Sequence, residues 1–333
     1  MLKIKYLFTN ESLAEMLLGN WPFDPQSLEM FQYYRISSNA IYPFQADGKT
    51  QMLRFAPQSE KLKSNLLAEL EFVAYLKNCG YGVLESVLSA GGTDLVEAQT
   101  PWGAYYASVF KRVAGKQLSS ICLSDHIVYK YGEALGRLHE LSSRYTPAGP
   151  RRWSHKDVLE WIGAVLGEFP EETAAVAELS LLADYFADMP VTTGNYGLIH
   201  YDFELDNVFY HEAGDTISAI DFDDSMYHWY AVDIEQSLDS LLEDIAAEEQ
   251  EAKRQCFMEG YRSSYTLPEE GPSPEACRRF ANMYGYARVL RSTAERWEHE
   301  PDWLTGLRNR LQLKMKAAAS RFGLDISARN NSL

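Results

Sequence analysis

Two short apolar runs, set in a half of the chain that otherwise shows helical spacing, constrain this sequence more than any other feature. Gly197-Leu198-Ile199 leads into His200-Tyr201-Asp202-Phe203-Glu204-Leu205-Asp206-Asn207, and Val208-Phe209-Tyr210 follows. A second run, Thr216-Ile217-Ser218-Ala219-Ile220, ends on Asp221-Phe222-Asp223-Asp224. Apolar and β-branched runs of this length, bounded by polar residues, read as strands joined by turns. They deliver Asp202, Asn207 and Asp221 from closely linked strand ends, so three oxygen-bearing side chains can converge. Phosphoryl transfer needs such a point, because Mg²⁺ is a hard cation that takes oxygen ligands and neutralises charge on the β and γ phosphates.

The rest of the pattern frames these runs. Tyr34-Arg35-Ile36 and Gln51-Met52-Leu53-Arg54-Phe55 flank the turn signal Asp47-Gly48-Lys49, which predicts a hairpin. From Lys61 to Asn78, apolar residues recur at helical spacing until Gly80 stops them. Further strands are expected around 83–88, 94–98 and 104–110, and residues 111–118 form a candidate hinge. Beyond it, helices are expected at 125–141, 155–188, 233–266 and 275–322, and the tail Asn330-Asn331-Ser332-Leu333 is expected to fray.

At 333 residues the chain is long enough for two lobes with cores of their own. Its 46% hydrophobic and 23% charged residues are those of a folded protein, which excludes wholesale disorder. The net charge of −16 argues against nucleic acid as a partner and leaves room for a cationic small molecule. Cys79, Cys122, Cys256 and Cys277 form no C-x-x-C pair, which fits reduced thiols in the cytoplasm. No apolar run has the length of a membrane span or a signal-peptide core, so no membrane partner is expected.

The pattern His200-x-Asp202, then Asn207, then Ile220-Asp221-Phe222 resembles the H-G-D-x-x-x-x-N and I-D-x motifs of the aminoglycoside phosphotransferase and choline kinase group, small-molecule relatives of protein kinases. Leu135 to His139 also resembles the L-x-x-L-H helix end of that family, and the likeness runs from about Tyr34 to Tyr261. The resemblance implies an α+β, two-lobed, protein-kinase-like fold. Residues 1–112 would form a small nucleotide-binding lobe with an antiparallel sheet, and 113–333 a larger, mainly helical catalytic lobe. It implies ATP and Mg²⁺ as cofactors and a small-molecule hydroxyl as acceptor, and leaves the oligomeric state open.

Carried over by position, Asp202 is the catalytic aspartate, and Asn207 and Asp221 are the Mg²⁺ ligands. Arg54 would hold the nucleotide phosphates with Glu69 as its helix partner, Glu71 competing for that place. Ser38 and Asn39, in a Gly-poor segment 36–40, would cover the phosphates, and Tyr106 to Val113 would line the adenine pocket. His200 would brace the catalytic loop, and Asp233 would organise it or cap a helix. The acids between Glu235 and Glu249 form a solvated face or line an acceptor cleft, and the aromatics 227–230 stack on a ligand or pack in the core. Two departures stand out: Tyr201 replaces the family's usual Gly, and Asp223 replaces the Gly that follows Asp-Phe in protein kinases, which disfavours a protein kinase. The alternative to an enzyme is a catalytically silent kinase-like binding or structural protein.

Overall fold

A computed structural model of the protein describes residues 1–324, so the expectation for residues 330–333 lies outside the described residues. The chain opens with helix α1 (Glu11–Leu18), whose first turn is capped by the Asn10 side chain accepting from the Leu13 amide. Nothing in the sequence reading anticipated this helix. Strands β1 (Arg35–Ile36), β2 (Ala40–Ala46) and β3 (Lys49–Pro57) follow. Asp47 and Gly48 both take positive φ, 50° and 69°, which suits the two-residue turn between β2 and β3. The hairpin is therefore where the turn signal put it, but its first strand is β2 and not residues 34–36. Pro43 hides that strand, because a residue without an amide hydrogen reads as a breaker until its neighbours show the pairing.

Helix α2 (Lys63–Asn78) comes next, then β4 (Glu85–Val87), β5 (Val96–Thr100) and β6 (Gly103–Lys111). The sheet runs β1-β2-β3-β6, and β4 and β5 share the far edge of β6, all pairs antiparallel. α2 buries Leu70, Phe72, Val73 and Leu76 in a core that also holds Phe110, Leu135, Phe203 and Phe222. That shared core ties the sheet-bearing part to the helical part.

The expected hinge is in part a strand. β7 (Lys116–Gln117) pairs with β9 (Val208–His211), which also pairs with β10 (Thr216–Ala219). β8 (Tyr196–Ile199) pairs instead with β11 (Met226–Trp229). Two small sheets thus hold the residues from 200 to 207 and from 220 to 225 between their ends.

Helices α3 (Asp125–Ser142), α4 (His155–Leu166), α5 (Thr173–Ala187), α6 (Tyr230–Leu242), α7 (Ala247–Ser264), α8 (Pro274–Thr293) and α9 (Asp302–Ala319) complete the described residues. The regions 155–188, 233–266 and 275–322, expected to be helical, each contain two helices with a break between them. Gly132 and Gly136 of α3 and Gly260 of α7 sit where a β-carbon would collide with the other helix's backbone, so the two helices touch along their main chains. This contact places His139, at the end of α3, beside the site. No described helix is long and apolar enough to cross a membrane.

Candidate active site

The loop after β8 is built around one buried carboxylate. Asp233, near the start of α6, is fully buried and accepts the His200 amide at 2.8 Å, the Tyr201 amide at 2.7 Å and His139 Nε2 at 3.1 Å. His139 in turn hydrogen bonds through Nδ1 with the Tyr261 hydroxyl at 2.8 Å. Burial pulls His139 below the usual histidine range against the opposing pull of Asp233. Asp233 therefore organises the loop rather than meeting a ligand.

His200 works as a strut. Its Nε2 donates to the Ile220 carbonyl at 2.9 Å, and its Nδ1 accepts the Asp202 amide at 3.2 Å. One buried ring thus fixes the spacing between the Asp202 loop and the strand that carries Asp221. Asn207 adds two bonds, from Nδ2 to the Asp202 carbonyl (3.0 Å) and to Asp202 Oδ2 (2.9 Å), and its own carbonyl accepts the Ile220 amide at 2.9 Å. Asp202, Asn207 and Asp221 are brought together as neighbours.

Crowded negative charge, only partly offset by cations, marks the spot. Burial, with Asp224, Glu204 and Asp221 nearby, pushes the Asp202 carboxyl up to about 8. Burial and Asp223 push Asp221 up to about 6, although Arg54 opposes them. Burial would raise Asp223 too, yet Lys61 and Arg54 outweigh it and hold that carboxyl below the usual range. A divalent cation is the simplest relief for such a cluster. The donors suit Mg²⁺: Asp221 offers a carboxylate, and Asn207, with Nδ2 already engaged and its backbone carbonyl taken by Ile220, has its side-chain Oδ1 left. Among the described residues no group of three or more His, Cys, Asp or Glu could hold a metal ion.

Arg54 and Glu69 form a buried, two-pronged pair, with Nη1 to Oε1 at 2.6 Å and Nη2 to Oε2 at 3.0 Å. Glu71 is elsewhere, accepting the amides of Ala148 and Gly149 and the Tyr145 hydroxyl. Asn39 is buried beside Arg54, and Ser38 stands at the tip of the turn between β1 and β2. The backbone of β6 is paired through Lys111, so Val113 to Gly115, not Tyr106 to Phe110, is the first stretch outside the sheet. The aromatics 227–229 belong to β11 and are buried, with Trp229 stacked on Phe186, which settles them as core.

Sequence reasoning missed the cations. Lys61 pairs with Asp223 at 2.5 Å, Arg152 donates to the carbonyls of Asn65, Asp223 and Ser225, and Arg288 of α8 pairs with Asp224 at 2.7 Å. They surround a cavity of about 150 Å³ that Trp161 and Tyr284 help to line. No motif flags them, since each comes from a separate element.

Tyr201 takes φ = 71°, the left-handed region, which explains why Gly is usual there. The strain costs about 1–2 kcal/mol, whereas removing a buried aromatic ring costs about 3–5 kcal/mol. The ring sits against Phe280 and Tyr284. Packing wins, so Tyr201→Gly is expected to lower stability by about 2 kcal/mol or more, read from urea unfolding. A variant as stable as the wild type would show that the ring contributes no more than the strain it imposes.

The model of the phosphotransferase enzyme family matches residues 36–283. The chain belongs to that family. Its reaction class is therefore phosphotransfer. Among curated proteins, the amicoumacin kinase of Bacillus subtilis (strain 168) is 24% identical over 326 residues, covering 93% of this chain and 94% of that protein. Among solved structures, an amicoumacin kinase in complex with AMP-PNP, Ca²⁺ and Ami aligns with a TM-score of 0.75 at 20% identity, over 94% of this chain and 95% of that one. A microcompartment-associated aminopropanol kinase aligns with a TM-score of 0.65 at 21% identity, over 94% and 97%. These likenesses show the two-lobed, kinase-like α+β fold expected from the sequence.

Proposed function

We propose that this phosphotransferase moves the γ-phosphoryl group of ATP, held with Mg²⁺, to a hydroxyl of a small molecule. The observation that carries the reading is the junction of Asp202, Asn207 and Asp221, with Arg54 already paired to Glu69. The bound nucleotide in a solved relative, AMP-PNP, supports it. In this reading residues 1–112 form the nucleotide-binding lobe and 113–333 the lobe that carries the catalytic residues and binds the acceptor. Ser38 and Asn39 cover the phosphates, and Val113 to Gly115 meets the base.

Asn207 and Asp221 would hold the metal, which neutralises phosphate charge when bound. Arg54, fixed in direction by Glu69, would draw the phosphates into line. Asp202 would orient the acceptor hydroxyl and take its proton as the new bond to phosphorus forms. The rise to about 8 belongs to the metal-free site; a cation held by Asn207 and Asp221 would favour the ionised form of Asp202, which is the form that can accept that proton. Glu204 lies beside Asp202 with Asp206 and Glu243 close by and Lys314 opposing them, and the excess of acids supports an acceptor that carries an amine.

A screen of amino alcohols, aminoglycosides and other hydroxyl compounds, with ADP release as the readout, tests the proposal. Acceptor-stimulated, Mg²⁺-dependent release is expected. Tight Mg-ATP binding without release from any acceptor would favour a silent, kinase-like binding protein instead.

A further inference from the structure

Arg288 is a half-buried cation for which the proposed reaction has so far no use. It projects from the last turns of α8 and reaches two places that the reaction needs at once. Nη1 donates to Asp224 Oδ2 at 2.7 Å, three residues after Asp221. Nη2 donates to Ser38 Oγ at 2.8 Å, at the tip of the turn between β1 and β2. The guanidinium carbon lies 5.2 Å from the centre of the Tyr284 ring, which helps to hold its plane.

The use of the two prongs is unequal. One meets a carboxylate, while the other meets a neutral hydroxyl, although an anionic oxygen is the stronger partner for a guanidinium. A guanidinium has five N–H donors in a rigid fork, so donors remain beyond these two. The turn that bears Ser38 has no Gly-x-Gly with which to wrap phosphate in backbone amides. The loose transition state of phosphoryl transfer spreads charge over three equatorial oxygens, which is where such a fork is most useful.

We infer that Arg288 is a catalytic arginine, supplied by α8, that contacts the transferring phosphoryl group together with Ser38 while Asp224 holds it in place. This rests on the kinase reading given above. The arginine contributes mainly when the bond between phosphorus and the leaving β–γ bridging oxygen lengthens, so it acts on turnover more than on nucleotide affinity.

The test uses the full chain and needs no acceptor: slow ATP hydrolysis, with water as acceptor, is followed as ADP release beside Mg-ADP binding and thermal melting. For Arg288→Ala, release is expected to fall about 10²-fold or more with Mg-ADP affinity kept within about threefold. Millimolar guanidinium ion should restore part of the loss, an effect that a purely structural role would not give. Release within about threefold of wild type, or a loss that guanidinium leaves unrestored, overturns the inference. If Arg288→Ala does not fold, Arg288→Lys carries the test, because an ammonium cannot span Ser38 and Asp224 as a planar fork. Its release should fall about tenfold or more at unchanged Mg-ADP affinity, and undiminished release overturns the inference. Asp221→Ala, run alongside, separates the two ideas: loss there with full activity in the Arg288 variants removes only the arginine. A wild-type chain that releases no ADP either alone or with any acceptor of the screen above overturns both.

Discussion

Asp202→Asn should lower turnover by about 10²–10⁴-fold while Mg-nucleotide affinity stays close to that of the wild type. The amide keeps the shape of the side chain, and the bond from Asn207 Nδ2 can pass to its oxygen. It cannot accept the acceptor's proton, and it aligns a hydroxyl less well. Calorimetry of Mg-ATP binding beside steady-state kinetics checks this. Equal losses of binding and turnover would move Asp202 into the nucleotide site, and full retention of both would remove it from the chemistry.

The same variant has a pH signature in metal-free protein. The folded carboxyl sits at about 8, whereas an unfolded aspartate titrates at about 3.9. Between these values the native state holds a proton that the unfolded chain releases, so stability falls as pH rises. The slope is at most about 1.4 kcal/mol per pH unit. Asparagine carries no charge. Asp202→Asn should therefore gain on the wild type as pH climbs from 5 to 8, with the margin read from urea midpoints. A margin that is constant across this range would show that the carboxyl is not raised.

Asp233→Ala carries the largest expected effect on stability. It leaves the amides of His200 and Tyr201 and the His139 ring without their acceptor in a fully buried place. Orphaning buried donors costs about 1–3 kcal/mol for each group, so a total of about 3–5 kcal/mol is expected after relaxation and water entry. Circular dichroism with urea titration measures it. A loss below about 1 kcal/mol would mean that the loop stands on His200 and Asn207 alone.

The chemistry-bearing half was legible because it is local. Asp202, Asn207 and Asp221 lie within two short strand-and-turn units, and strand alternation announces their ends before any tertiary contact is known. The pairing of Arg54 with Glu69 rather than Glu71 was harder, since both acids lie on the same helix and only its rotation against β3 decides between them. β2 was hidden by one proline, whereas α1 carried a signal that went unread, the Asn10 cap followed by Leu13, Ala14, Leu17 and Leu18 at helical spacing. Lys61, Arg152 and Arg288 were illegible for a different reason. They come from a loop, a second loop and a helix far apart in sequence, and nothing around any of them distinguishes it from a surface cation. Long-range charge pairing has no sequence period, whereas helices and strands do.

The segment after Asp221 is held on several sides. Asp223 is pinned by Lys61, its carbonyl and that of Ser225 are taken by Arg152, and Asp224 is bound by Arg288. An inhibitor that works by prising this segment outward and filling the space behind it would first have to break all of those bonds. Compounds aimed at this enzyme would do better to compete for the standing clefts, where the protein has already spent the energy of ordering itself.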